Sequence, residues 1–175
     1  VLRMFLECYL GRDAETTLQS LAVNDVVISR GSVSRIFEIH LWIDGEEVSI
    51  IRGDGIIFST PAGSTGHSLS AGGPILNPDM NAIVITPICP HTLSSRPLVI
   101  PEDAHIKVTF GELPVELGLT IDGQIYRALD ERDTVQIRSS KLRLRLVNLG
   151  IQSYYKVLKT KLNWATPPRY CLKEL

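Results

Sequence analysis

The sequence predicts a mainly β fold: a multi-stranded antiparallel β-sandwich-like domain with one short helix after a Gly/Ser/Thr loop and a second helix near the C-terminus. Three observations predict it. Short apolar runs of period two recur along the chain, separated by turn residues. Two of the turns, Asp44-Gly45 and Asp122-Gly123, are dipeptides suited to the twist of a tight hairpin. The apolar period lengthens to about 3.6 only after Ser153. With 175 residues, 44% of them hydrophobic, the chain can bury one full core, so a single domain is the default reading.

Val1 to Leu10 reads as a strand closed by a turn at Gly11-Arg12-Asp13. Leu21 to Ser29 is apolar on both sides of Asn24-Asp25. That pair reads as a turn or bulge, or as polar groups placed for a ligand, since burying them unpaired is costly. Ile36 to Ile43 alternates, with Ile36, Glu38, His40 and Trp42 on one face and Phe37, Ile39, Leu41 and Ile43 on the other; Val48 to Ile51 returns as its hairpin partner. His40 is read as a strand-surface histidine.

Ala82 to Pro87 is a buried strand halted by proline, and Ile88 to Pro97 a rigid connector whose His91 and Arg96 are read mainly as fixing the loop by hydrogen bonds, with ligand contact as the alternative. Leu98 to Pro101, Ile106 to Phe110, Leu117 to Ile121, Thr134 to Arg138 and Leu142 to Val147 are further strands. In the last of these Lys141, Arg143 and Arg145 form a basic row, read as a solvated face opposite Leu142, Leu144 and Leu146. Ser153 caps a helix with Tyr154, Tyr155, Leu158, Leu162 and Trp164 on one side and Lys156, Lys159 and Lys161 on the other, ended by Thr166-Pro167-Pro168.

Composition narrows the function classes. Eighteen basic and nineteen acidic residues leave a net charge of −1, with no polybasic field for nucleic acid. No apolar run approaches the roughly 20 residues of a spanning helix and no leader is recognisable, so a cytoplasmic protein without a membrane partner is expected. Cys8, Cys89 and Cys171 are far apart, without metal-site spacing, and fit a reducing compartment. The chain begins at Val1 inside a strand pattern, which leads us to expect a further part of the protein upstream.

Arg52 to Pro74 organises the functional reading. After Ile56-Ile57-Phe58, fifteen residues follow that are mostly small or hydroxylated. Small side chains let a ligand approach the backbone, and Thr60-Pro61 with Thr65 to Ala71 suggests a strand, a turn and a short helix whose first N–H groups form an anion site. Asp54, between Gly53 and Gly55, is expected beside that helix start, reading sugar hydroxyls while the helix reads phosphate. The Gly-x-Gly-x-x-Gly order of a Rossmann site and the Gly-Lys-Ser/Thr of a P-loop are both absent.

Gly53-Asp54-Gly55 through Ser-Thr-Pro-Ala-Gly-Ser-Thr, Ser68-Leu69-Ser70-Ala71-Gly72-Gly73-Pro74, Pro90-His91-Thr92-Leu93, Arg96-Pro97, Asn24-Asp25, Asp122-Gly123-Gln124 and Lys161-Leu162-x-Trp164 together resemble the C-terminal domain of NAD kinases. The resemblance covers nearly the whole chain. It implies phosphoryl transfer from ATP, or in some members polyphosphate, to the adenosine 2′-hydroxyl of NAD, giving NADP, with Mg²⁺ or another divalent cation accompanying ATP. It also implies an N-terminal α/β domain with a catalytic Gly-Gly-Asp-Gly loop that these residues do not contain, and a homodimer or homotetramer in which one subunit completes a neighbour's pocket. Residues 1–175 would then be the NAD-binding domain, inactive alone, with no catalytic residue and no resident metal.

Carried over by position, the resemblance implies that Asn24, Asp25 and Asp54 hydrogen-bond NAD and that Arg35 and Arg52 approach its phosphate or base. Thr65, Gly66, His67, Ser68, Leu69 and Ser70 would line the pocket, and Gln124 would follow the turn. His67 stands where the family usually has tyrosine, and Gly66 where it has alanine. The alternative from another class is a non-catalytic module sensing NAD or NADP; a related lipid or sugar kinase half is disfavoured because the chain lacks an amphipathic membrane-facing helix.

Overall fold

The structure is a computed structural model that describes residues 1–12, 15–31, 37–92, 94–111, 116–150 and 153–164. Its strands are β1 (Leu2–Arg12), β2 (Glu15–Ala22), β3 (Asp25–Arg30), β4 (Glu38–Ile43), β5 (Glu46–Arg52), β6 (Gly55–Ser59), β7 (Ala82–Ile88), β8 (Leu98–Pro101), β9 (Ile106–Phe110), β10 (Leu117–Ile121), β11 (Ile125–Leu129) and β12 (Asp133–Arg145); the helices are α1 (His67–Ser70) and α2 (Tyr154–Leu162). The chain divides into a large unit, Leu2–Arg145, and a small one that joins Val1 to the segment after Arg145.

In the large unit all strand pairs are antiparallel and form two six-stranded sheets, ordered β2-β1-β12-β9-β4-β5 and β11-β10-β3-β6-β7-β8. Period-two patterning explains how they pack. Met4, Leu6, Cys8 and Leu10 of β1, and Ile106, Val108 and Phe110 of β9, turn inward from the first sheet. Val26 and Ile28, Ile56 and Phe58, and Leu117, Leu119 and Ile121 turn inward from the second, and all belong to one buried cluster. Burial pushes the Cys8 thiol up to about 12, so it behaves as a small core hydrophobe. Asp44-Gly45, the two-residue loop between β4 and β5, and Asp122-Gly123, in the three-residue loop between β10 and β11, take positive φ at both positions (50° and 86°, 49° and 67°), the backbone that tight hairpins favour.

Several boundaries differ from the sequence reading. β1 runs through Gly11 and Arg12, where a turn was expected, because Arg12 reaches the buried Asp133 at 2.7 and 2.8 Å across the β1–β12 pair. β2 was not predicted; it is an edge strand, mostly exposed, and its sequence carries little apolar signal. β7 continues past Pro87 to Ile88, since β8 pairs only with Ala82–Ile85 and β7 is itself an edge at the proline. Arg143 is half-buried against Glu102 at 2.8 Å, while Leu142 is 60% exposed, so the expected division of that strand into wet basic and dry leucine faces does not hold.

Segment 60–76 covers the outer face of the second sheet. Thr60 Oγ1 donates to the Val23 carbonyl (2.7 Å) and accepts from Gly63 N–H (3.0 Å); Ser68 and Thr86 hydroxyls pair at 2.8 Å; Leu76 N–H donates to Ser64 Oγ at 3.0 Å. Leu76 packs with Ala82 and Val84 in a second, smaller apolar cluster. A β-carbon on Gly63 would lie 2.1 Å from the Asn24 carbonyl oxygen, so only glycine lets this segment seat on the β2–β3 turn.

In the small unit Val1 and Leu146 exchange backbone hydrogen bonds at 2.8 and 2.9 Å. Ser153 caps α2 by accepting from Lys156 N–H, and Asn163 ends it in the left-handed conformation. Tyr155 is 70% exposed while Leu158 is 7% exposed, so the tyrosine does not share the buried side expected for it, and Trp164 lies beyond the helix. The predicted stop at Thr166-Pro167-Pro168 lies outside the described residues.

Gly63→Ala is expected to destabilise the chain by about 2–4 kcal/mol, because the clash is with backbone that cannot rotate away. Urea unfolding checks it: a midpoint equal to wild type would show that the segment seats without this contact.

Candidate functional site

The mouth of the candidate site lies where β3 begins. Asn24 and Asp25 follow the β2–β3 turn, and the β10–β11 turn stands beside them. Asp122 Oδ1 accepts from the N–H groups of Asn24 (2.8 Å) and Asp25 (3.0 Å), and its Oδ2 from Val23 N–H (2.7 Å). Asp122 N–H in turn donates to the Asp25 carbonyl at 3.0 Å. One carboxylate thus holds three consecutive amides and sets where the Asn24 and Asp25 side chains stand.

Alternation along β3 puts Asp25, Val27 and Ser29 on the outer face, opposite the core residues Val26 and Ile28. With Asn24, His67, Thr120, Asp122 and Gly123 they line an open cleft of about 330 Å³. Asp25 is 8% exposed, and among the described residues no group donates a hydrogen bond to its carboxylate. Burial, and then the nearby Asp122 charge, raise its pKa above the ordinary value, while His67 opposes the shift. Directly across the β3–β6 pair stands Ser59, whose buried hydroxyl also lacks a partner among the described residues. The cleft therefore presents an acceptor with unused capacity at its floor and the exposed Asn24 side chain at its rim.

The segment expected to grip an anion contributes only in part. Helix α1 is four residues long and is separated from the 3-10 turn Gly63–Thr65 by Gly66, so Thr65 to Ala71 is not one helix. The protein caps several of the segment's amides itself: Gly63 N–H meets Thr60 Oγ1, Ser64 N–H the Pro61 carbonyl, and Gly66 N–H the Gly63 carbonyl. Gly66 and His67 are exposed and His67 lines the cleft; Thr65 and Leu69 are half-buried, Ser70 exposed, and Ser68 buried against Thr86. Gln124 is exposed in the β10–β11 turn, next to the lining residue Gly123.

Asp54 is not beside α1. It precedes β6, whereas the small-residue segment follows it, and the five residues of β6 separate them by roughly 15 Å of strand. Asp54 binds Arg30 Nε at 2.7 Å, at the opposite end of β3 from Asp25. Arg30 and the Cys89 thiol lower its pKa, outweighing burial. Arg52 pairs with Glu38 on the first sheet, and its carbonyl accepts from His91 N–H at 2.9 Å. The expected site is thus two clusters, Asn24-Asp25-His67 at one end of β3 and Arg30-Asp54 with Cys89 at the other; Arg35 lies outside the described residues. Val27, Ser29, Thr120, Asp122 and Gly123 were missed as site residues, although the Asp-Gly turn marked the positions of the last two.

Among the described residues no three His, Cys, Asp or Glu side chains are grouped to hold a metal ion. Asp122, the acid nearest Asp25, is occupied by its three amides.

The arrangement has a counterpart in known proteins. The family model described as the ATP-NAD kinase C-terminal domain matches residues 23–149, from the β2–β3 turn to beyond β12. The chain belongs to that family. An NAD kinase of Citrifermentans bemidjiense is 44% identical over 163 residues and one of Acidobacterium capsulatum 42% over 162; each alignment covers 93% of this chain and 57% of the relative. The chain thus spans a little over half the length of these curated NAD kinases. Among solved structures, yeast NADH kinase complexed with NADH superposes with a TM-score of 0.85 at 32% identity, covering 97% of this chain and 50% of that one. An NAD kinase from Archaeoglobus fulgidus in complex with ATP gives 0.65 at 27% identity, covering 81% and 53%. The two-sheet architecture is that of the NAD kinase C-terminal domain. Among the described residues, no helix is long and apolar enough to cross a membrane.

Two outcomes test the geometry. Asp122→Ala leaves three amides without their acceptor and is expected to cost about 3 kcal/mol, read as a lowered thermal midpoint. For Asp25 the native pKa is raised, so its ionisation opposes folding at neutral pH and the penalty fades as pH falls towards the unfolded value, near 3.8. Asp25→Asn is therefore expected to be more stable than wild type at pH 7, by a margin that shrinks in acid. A margin independent of pH between 7 and 4 would contradict the buried-charge assignment.

Proposed function

We propose that this chain is the NAD-holding domain of an NAD kinase that transfers a phosphoryl group from ATP or polyphosphate to the adenosine 2′-hydroxyl of NAD, giving NADP. The observation that carries the reading is the Asp25 carboxylate: buried on the cleft floor, without a donor among the described residues, beside an acid whose own capacity is used up. A ribose offers hydroxyl donors at the spacing one carboxylate can accept, so a nucleoside end suits an acceptor that has no protein donor among the described residues. Asn24 adds an amide able to donate and accept at the rim, and the imidazole of His67 offers a stacking face where the family's tyrosine would stand.

The kinship with NAD kinases, and the neighbours bound to NADH and ATP, support the same substrate class. In this proposal the phosphoryl donor and the residue that activates the hydroxyl belong to an α/β domain with a Gly-Gly-Asp-Gly loop, outside these 175 residues. The divalent cation arrives with the donor phosphates. Positioning is what this domain contributes. It holds the acceptor so that attack on the phosphorus becomes a unimolecular event.

Asp54 stands at the opposite end of β3 from Asp25, and its part in the site is assigned to a second copy in a homodimer or homotetramer, where the Arg30–Asp54 pair closes the neighbour's pocket. Titration calorimetry with NAD checks both parts. Asn24→Ala and Asp25→Asn are expected to weaken binding about tenfold or more, by loss of ligand hydrogen bonds. Asp54→Ala should weaken it only at protein concentrations where sedimentation shows association. Equal affinity in wild type, Asn24→Ala and Asp25→Asn would remove the assignment.

A further inference from the structure

We propose that Tyr126 is a specificity residue of this cleft: its ring is the platform on which the pyridinium ring of oxidised NAD lies, favouring it over the uncharged dihydropyridine of NADH. The inference rests on the reading of the cleft as the NAD site and adds to it the position of the second heterocycle.

The cleft is a groove along the outer face of the second sheet. From Asp25 to Ser29 it follows four residues of β3, roughly 13 Å, a length suited to an opened dinucleotide. Thr120 lines its wall on β10, and Tyr126 of β11 stands directly opposite Thr120. The tyrosine ring lies across Gly118, where a β-carbon would meet Cε2 at 2.4 Å and Cζ and the hydroxyl at 3.1 Å. Gly118 in turn is opposite Ser29, the far lining residue of the groove. Glycine therefore allows the ring to lie down on the sheet beside the end of the groove remote from Asn24 and His67. Tyr126 is 54% exposed, an amount of open aromatic surface that the fold of this unit does not use.

The electrostatics select the kind of ring. The face of a tyrosine attracts a cation, and the pyridinium carries a positive charge that the reduced ring lacks. Glu116 is 3.5 Å from the Tyr126 hydroxyl, and Asp25 and Asp122 lie further along the groove, so the nearby carboxylates act in the same direction. The opposing charge is Arg127, whose guanidinium folds back onto the Tyr126 carbonyl at 2.8 Å; its side chain leaves the strand on the other face. With His67 at one end and Tyr126 at the other, each heterocycle of the dinucleotide has a stacking partner, and the ribose next to His67 falls over Asp25.

Calorimetry of the chain with NAD, NADH and ADP-ribose, which lacks the second ring, separates the possibilities. Tyr126→Ala is expected to weaken NAD about tenfold, NADH about threefold or less and ADP-ribose not at all, while Tyr126→Phe stays within about twofold for all three. No loss with NAD, an equal loss for NAD and NADH, or a loss shared with ADP-ribose overturns the assignment. If Asn24→Ala weakens all three ligands while Tyr126→Ala weakens none, the platform falls and the cleft stands; wild-type chain that binds none of the three takes the cleft reading down as well.

Discussion

The structure depends most on one carboxylate. Asp122 accepts from three consecutive amides at the entry to β3, donors that would otherwise have no acceptor there. By using its charge on the backbone, Asp122 fixes the turn that carries Asn24 and Asp25, and among the described residues no donor reaches the Asp25 carboxylate. The unfavourable proximity of two acids is held in place by the fold. Raised affinity for a proton, or for a hydroxyl donor, is the consequence at Asp25.

A second constraint is the close approach of segment 60–76 to that turn. Gly63 rests on the Asn24 backbone and Thr60 bridges to the Val23 carbonyl, so the small and hydroxylated residues serve largely to pack main chain on main chain. Ser68 with Thr86, and Leu76 with Ala82 and Val84, complete that cover over β6 and β7. The cover brings His67 to the cleft and buries the outer face of β6. Hydroxyl-rich sequence is thus compatible with a buried layer when each hydroxyl finds a neighbour; Ser59, which finds none among the described residues, faces Asp25 across the strand pair.

These constraints connect fold to role. Phosphoryl transfer asks of the acceptor domain rigidity more than reactive groups, and a cleft floored by paired antiparallel strands supplies it. In the role proposed for this domain, no residue of it needs to ionise a hydroxyl. Holding one at a fixed place, between an aromatic or imidazole face and a carboxylate, is sufficient for the part proposed for it.

Much of this was legible in the linear pattern. The alternation of β4, β9, β10 and the start of β12 identifies their buried faces, Asp44-Gly45 and Asp122-Gly123 identify their hairpins, and Ser153 identifies the cap of α2, because side-chain period and positive-φ turns are local properties of the chain. The motif residues also led to the family, since so long a run of small residues with fixed spacing leaves few alternatives. Location in space was not legible. Asp54 and the Gly-Ser-Thr segment are neighbours in sequence, yet β6 carries them to opposite ends of a sheet; Asp122 is nearly a hundred residues from Asn24 and touches its amide. Edge strand β2 was missed because its side chains face water, and the strand through Pro87 because its open edge lies in the pairing, not in the residue. Local chemistry decides which way a side chain points; only long-range strand pairing decides which side chains meet.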